Sequence, residues 1–264
     1  MRKTRSKDGT VIAFDRSGQG PGVILVAGSL QYRAFDQGMA RLAQLLAPCF
    51  TVVSYDRRGR GDSTDTPPYS LEREVEDIEA LIEEVGGSAF LCGISSGAAL
   101  AMEAAIRLPG KVRKLAMYEP PYSDDPASRQ SWKAYTRELE ALLDAGRRGE
   151  AVALFMGLVG ATGQQIDEVR HSPVWPLFES VAPTLAYDHI AILGAEAGVP
   201  AGRAAQVRVP ALVMDGGASF PFMHVTALAL AEAIPNARHL TLDGQTHEVT
   251  AEALAPVLVE FFSG

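Results

Sequence analysis

The feature that most constrains this chain is the rhythm of its apolar runs. Short β-branched stretches alternate with longer stretches of helical spacing, the pattern of a mostly parallel sheet covered by helices on both faces. "TVIAFD", Thr10 to Asp15, alternates and reads as an early strand. "GVILVAG", Gly22 to Gly28, and "FTVVSYD", Phe50 to Asp56, are continuous buried runs. Between them Met39, Leu42, Leu45 and Leu46 give Asp36 to Ala47 a helical period. In "SLEREVEDIEALIEEVGG" Ser70 suits an N-cap, Glu72 and Glu74 suit the positive end of the helix dipole, and Gly86-Gly87 stops the pattern. "SAFLCG" follows as a strand, Ser96 to Leu108 as a helix and "VRKLAMYE", Val112 to Glu119, as a further strand.

After Pro120-Pro121 the rhythm breaks. From about Ser128 to Gly194 the spacing is helical throughout and no strand is readable. Alternation resumes at "VPALVMDGG", Val209 to Gly217, then a helix from about His224 to Ile234, "ARHLTLDG" from Ala237 to Gly244, and a last helix from Ala251 to Phe262. The chain is therefore expected to be α/β, with residues 1–121 and 208–264 forming one sheet-based core and 122–207 a helical cap inserted into it.

Composition narrows the partners. A net charge of −8 would repel a phosphate backbone, which excludes a nucleic-acid binder. The N-terminus has no apolar stretch suited to a signal peptide, and no run of about 18 apolar residues occurs. The expectation is a soluble cytoplasmic protein acting on a small molecule, without a membrane partner, as a monomer or homodimer. Cys49 and Cys92 lie in or beside apolar runs without metal-ligand spacing and are expected to be buried free thiols. "RGRGDS" reads as a tight turn after its strand, and "SGQGPG" precedes its strand instead of following it, which argues against a phosphate cradle.

Chemistry enters with "FLCGISSGAAL", Phe90 to Leu100. A nucleophilic serine on a sheet fold sits on a strained strand-to-helix turn, with glycines two positions to either side so that the chains can pass closely. Centring that pattern on Ser95 places Gly93 and Gly97 correctly; centring it on Ser96 places Ile94 and Ala98 there. The spacing selects Ser95, although a plain N-cap serine would also fit so short a pattern.

A serine needs a base, usually a histidine held by a carboxylate. Of the five histidines, His239 lies inside a strand, His171 and His189 fall in the cap, and His224 lies near a helix start. His247, in "LDGQTHEV", occupies the loop between the last strand and the last helix, on the same sheet edge as Ser95, and is the favoured base.

"VAGSLQ", "YDRRGRGDS", "GISSG", the cap insertion and "DGQTHEV" occur in an order and spacing similar to the α/β-hydrolase superfamily, over nearly the whole chain. The likeness is to serine-dependent, esterase- and lipase-like members; epoxide hydrolases and dehalogenases place an aspartate at the elbow. Where many members carry His-Gly, this chain has Ala27-Gly28, so the resemblance implies an oxyanion hole built from the backbone N–H groups of Ser29 and Ser96. It implies no cofactor and no metal. Leu30, Tyr32, Trp132, Trp175, Phe178 and Tyr187 are the expected substrate-facing residues, and Arg33 stands beside them at the surface or in the pocket.

The acid departs from the family's commonest pattern, which would place it where this chain has Ser219. Glu119, Asp215 and Asp243 compete. Glu119 ends a strand in "MYEPPY", where some lipase-like relatives carry the triad acid before proline, and it keeps the order Ser, acid, His. Asp215, before Gly216-Gly217, is the second candidate and also suits an ordinary turn. The leading expectation is a serine hydrolase of small to medium, largely apolar esters, thioesters or lactones. The same fold also serves cofactor-free lyase, cyclase, carbon–carbon cleavage or perhydrolase chemistry, and a receptor with a vestigial triad is the third reading.

Overall fold

The computed structural model describes residues Met1–Gly264. Eight strands form one sheet in the order β1-β2-β4-β3-β5-β6-β7-β8. They are β1 (Arg2–Arg5), β2 (Val11–Ser17), β3 (Gly22–Val26), β4 (Thr51–Tyr55), β5 (Ala89–Ile94), β6 (Val112–Tyr118), β7 (Ala211–Gly216) and β8 (Ala237–Leu242). β1 and β2 pair antiparallel, and every pairing from β4 to β8 is parallel. The crossovers are helical, so both faces are covered and β3 is buried along its whole length.

Side chains alternate between two cores. Val23, Leu25, Val52, Phe90, Cys92, Leu212 and Met214 pack against α1 (Gln37–Leu46) and α11 (Ala251–Ser263). Ile24, Val26, Val53, Leu91, Leu115, Met117 and Val213 face α2 (Leu71–Glu83), α3 (Ser96–Arg107) and α10 (Pro221–Ala233). Between β6 and β7 lies the helical stretch: α4 (Pro126–Asp144), α5 (Arg148–Leu158), α6 (Gly163–Arg170), α7 (Trp175–Val181), α8 (Thr184–Ala186), a π-helical turn (Tyr187–Ile192) and α9 (Ala201–Ala204). No helix is long and apolar enough to cross a membrane.

Three local readings need correction. β1 escaped the sequence because its polar residues lie at the sheet margin, with no apolar alternation to mark it. Cys92 is buried on β5, where desolvation pushes its thiol up to about 12, but Cys49 is exposed: it follows the end of α1 while its neighbour Phe50 enters the core. Ser70 does occupy the N-cap position of α2, yet its side chain caps no helix amide.

The turn from β5 into α3 works only because two glycines permit backbone contact. A Cβ on Gly93 would fall on Gly97 O and the Ala98 backbone, and one on Gly97 would fall on Val26 O and Ala27 O. Since backbone cannot yield as a flexible side chain can, Gly97→Ala is expected to destabilise the fold by about 1–3 kcal/mol or more. A urea-unfolding midpoint measures this; an unchanged midpoint would contradict the close approach.

Candidate active site

The carboxyl ends of the parallel strands converge, as open α/β sheets require of a site. At the end of β5, Ser95 alone joins strand to helix, at φ 57° and ψ −129°, a left-handed-side backbone that a non-glycine residue adopts only under constraint. Its N–H donates to Tyr118 O at 2.9 Å, tying the turn to β6. Beyond β3, Gly28 lies so close that a Cβ there would stand 3.1 Å from Ser95 Cβ. Ser29, the expected oxyanion donor, is thus next to the turn, and its Oγ donates to Ser96 Oγ at 3.1 Å.

Glu119 follows β6 with a fully buried carboxylate and a φ of 46°. Oε1 accepts the Gly216 N–H at 2.8 Å, while Oε2 accepts Ser219 Oγ–H at 2.9 Å and lies 2.6 Å from His247 Nδ1. Asp215 is engaged elsewhere, with His224, His239 and Thr241, and Asp243 is exposed. Of the three competing carboxylates, Glu119 is therefore the one hydrogen-bonded to His247. Ser219, aligned in the sequence with the family's usual acid position, donates to Glu119 instead.

The His247 loop is fixed to the loop after β7. Ala218 N–H donates to Gln245 O at 2.8 Å, Gly217 N–H to Leu242 O at 2.9 Å, and Tyr118 Oη–H to Thr246 O at 2.5 Å. With Nδ1 turned to Glu119, Nε2 is the ring nitrogen on the opposite side of the imidazole. A left-handed Leu30 (φ 60°) turns the chain after Ser29.

Below the loop that carries Ser29 lies a buried charge cluster from "DRRGRGD". Arg57 forks onto Glu74 of α2 at 2.8 and 2.6 Å and reaches Asp188 Oδ1 at 2.6 Å; Arg60 reaches Asp188 Oδ2 at 2.6 Å. The same guanidiniums donate to the loop itself, Arg60 to Gly28 O at 2.6 Å and Arg57 to Ala27 O at 3.3 Å. Burial alone would raise the Asp188 carboxyl, but the charges of Arg57 and Arg60 hold it down to about 2. Asp188 belongs to the π-helical turn, so the insertion is pinned to the loop that carries Ser29.

The next residue, His189, lies in the helical stretch, and nothing in its local spacing announces the fold-back that delivers it. Its Nε2 lies 3.0 Å from Ser29 Oγ and its Nδ1 2.7 Å from Tyr135 Oη. Burial lowers its imidazole to about 4, against the pull of Asp188 toward the protonated form. A neutral ring satisfies every group in one direction: Tyr135 O–H donates to Nδ1, Nε2–H to Ser29 Oγ, and Ser29 O–H to Ser96 Oγ.

The expected substrate-facing residues separate into groups. Trp132 packs at an edge against His189, beside Tyr135 and Phe155, and so lies over the Ser29 side of the site. Tyr32 stacks on Phe35, which meets Phe178 edge-on. Tyr187 stacks on Tyr69 and donates to Asp65, while Trp175 packs against Arg170 and Gly149, so both have structural partners. Arg33 is mostly buried among Asp15, Asp56 and Asp62. A pocket of about 400 Å³ between α4, α5 and α6 includes none of Ser29, Ser95, Glu119 or His247.

With this geometry in place, comparison with known proteins is decisive. Residues 23–255 match the model of the alpha/beta hydrolase family. The chain belongs to that family. It is 31% identical over 116 residues to the uncharacterized hydrolase YraK of Bacillus subtilis (strain 168), covering 42% of each chain. An alpha/beta hydrolase from Sphaerobacter thermophilus DSM 20745 superposes with a TM-score of 0.85 at 50% identity, over 99% of this chain and 100% of that one. A hydrolase from Pseudomonas aeruginosa PA01 superposes with a TM-score of 0.75 at 22% identity, over 100% and 98% of the two chains, and shares the fold. An alpha/beta-hydrolase enzyme is thus the coarse statement that likeness supports.

The buried, neutral His189 makes stability depend on pH. Its folded value of about 4 lies below the ordinary 6.5, so between those values the unfolded chain binds a proton that the folded chain excludes. The contribution is intact above about pH 6.5 and is lost as pH falls toward 4, by about 3 kcal/mol in all. His189→Gln removes this titration. Denaturant unfolding at pH 7 and 4.5 is expected to show the wild type losing about 2–3 kcal/mol more than the variant; parallel losses would contradict it.

Proposed function

We propose that the chain is a serine hydrolase in which Ser95 is the nucleophile, His247 the general base and acid, and Glu119 the carboxylate that orients His247. One observation carries the reading: Glu119 Oε2 lies 2.6 Å from His247 Nδ1 at the same strand-end edge as the strained Ser95. A serine at its normal acidity needs such help, because an imidazole held in one tautomer can take its proton as the new bond forms.

In the first step the Ser95 Oγ–H bond breaks, its proton passes to His247 Nε2, and Oγ bonds to the substrate carbonyl carbon. The carbonyl electron pair moves onto oxygen, where the N–H groups of Ser29 and Ser96 stabilise the oxyanion. Collapse returns that pair, breaks the bond to the leaving alkoxide or thiolate, and His247 protonates the departing group. Water then repeats the sequence on the acyl-enzyme, giving the free acid and restoring Ser95.

What lies over the site supports a substrate class. Trp132, Tyr135 and Phe155 surround His189 above Ser29, with Tyr32, Phe35 and Phe178 stacked beyond. Such a lining suits a small to medium, largely apolar ester, thioester or lactone, with the helical insertion acting as a cap over it.

Ser95→Ala is expected to abolish labelling by a fluorophosphonate probe and turnover of p-nitrophenyl butyrate. Ser96→Ala keeps its backbone N–H and loses only the hydroxyl that accepts from Ser29, so it is expected to fall by about tenfold at most. Undiminished labelling of Ser95→Ala would overturn the assignment.

A further inference from the structure

Asp215 is a buried carboxylate that the proposed chemistry does not use. In the sheet register Asp215 of β7 stands opposite Thr241 of β8, and His239 lies opposite Val213 on the same face. His224, on the first turn of α10, meets them from above. His239 Nε2 lies 2.6 Å from Asp215 Oδ1, His224 Nδ1 lies 3.0 Å from Oδ2, and Thr241 Oγ–H donates to Oδ1 at 3.2 Å. The two rings stand edge to face with centroids 5.4 Å apart. One ligand atom from each of Asp215, His224 and His239 falls within 4.8 Å of the others.

From this convergence we infer that Asp215, His224 and His239 form a binding site for a divalent transition-metal ion of the zinc class, separate from the Ser95 elbow. Two imidazole nitrogens and one carboxylate are the donors that Zn²⁺, Co²⁺, Ni²⁺ and Cu²⁺ accept, whereas Mg²⁺ and Ca²⁺ favour all-oxygen sets. A tetrahedral zinc with bonds of about 2.0–2.1 Å holds its ligand atoms about 3.3 Å apart. The His224 contact of 3.0 Å therefore opens by about 0.3 Å and the His239 contact of 2.6 Å by about 0.7 Å, while the widest pair in the set, within 4.8 Å, draws in. His224 has the freedom to do this, being 48% exposed, and the same opening gives the ion an entry path and leaves a coordination position for water.

No covalent chemistry or co-reactant is needed. Each neutral imidazole carries its proton on the ring nitrogen turned away from the ion, and the ion replaces two N–H···O contacts with ligand bonds. The site escapes a search for ligand spacing along the chain because its members come from three different elements. Its ion is structural: it ties α10 to the β7–β8 edge, beside Gly216, whose N–H supports Glu119.

The test is zinc titration of the purified, chelator-treated full chain by calorimetry and by competition with a chromophoric chelator. One Zn²⁺ per chain is expected, with a rise in melting temperature. His224→Ala and His239→Ala are each expected to weaken binding at least about tenfold, since even outer-shell partners contribute that much to a metal. His171→Ala, an exposed histidine of the insertion, is the matched control and is expected to bind as the wild type does. Binding below stoichiometry, or binding indifferent to His224→Ala, would overturn the site; the half-exposed His224 decides the matter even if His239→Ala fails to fold.

Discussion

Arg57 and Arg60 are buried to within 1% of full exclusion from solvent, and a guanidinium so placed is tolerable only if carboxylates are brought to it. Glu74 and Asp188 answer that demand, one from the helix after β4 and one from the insertion about 130 residues along the chain. Two positive and two negative groups leave the cluster neutral, and the spare N–H groups reach the carbonyls of Ala27 and Gly28. The same interaction therefore secures the fold, seats the insertion and holds the loop that presents Ser29. Removing one member would strand a buried charge at a cost of about 3–5 kcal/mol, which is why the cluster acts as a unit.

Above this base the strand ends divide the chemical work. Three of the four non-glycine residues with positive φ stand at the strand ends: Leu30 after β3, Ser95 between β5 and α3, and Glu119 after β6; the fourth is Ala197 in the helical stretch. The acid we propose, Glu119, follows β6 and not β7, and Ser219, in the loop after β7, donates its hydroxyl to that carboxylate. His247 meets a carboxylate either way, because the loops after β6, β7 and β8 share one edge.

Much of this was legible along the chain. The β-branched runs gave seven strands close to their observed limits, because parallel strands buried on both faces must be apolar throughout. The elbow was legible because glycine is obligatory where backbones touch, at Gly93 and Gly97. What stayed hidden depended on contacts between distant segments. His189 and Asp188 are unremarkable within their own helical turn, and only the fold-back of the insertion sets them on Ser29, Arg57 and Arg60. Asp215 read as a turn residue or a second acid, because neither His224 nor His239 reveals in one dimension that it faces the same carboxylate. The arginine-rich "DRRGRGD" was the overlooked signal: three guanidiniums beside a buried strand require carboxylates from elsewhere.

The central claim is that the carboxylate of Glu119 works through His247, in a site where Asp215 has other partners. The most direct measurement is kcat for p-nitrophenyl butyrate in Glu119→Gln, which keeps the side chain's shape and removes its charge. A loss of about 10⁴-fold is expected, by analogy with the amide substitution of a triad acid, with fluorophosphonate labelling of Ser95 slowed in parallel. A kcat within a few fold of the wild type would contradict the account.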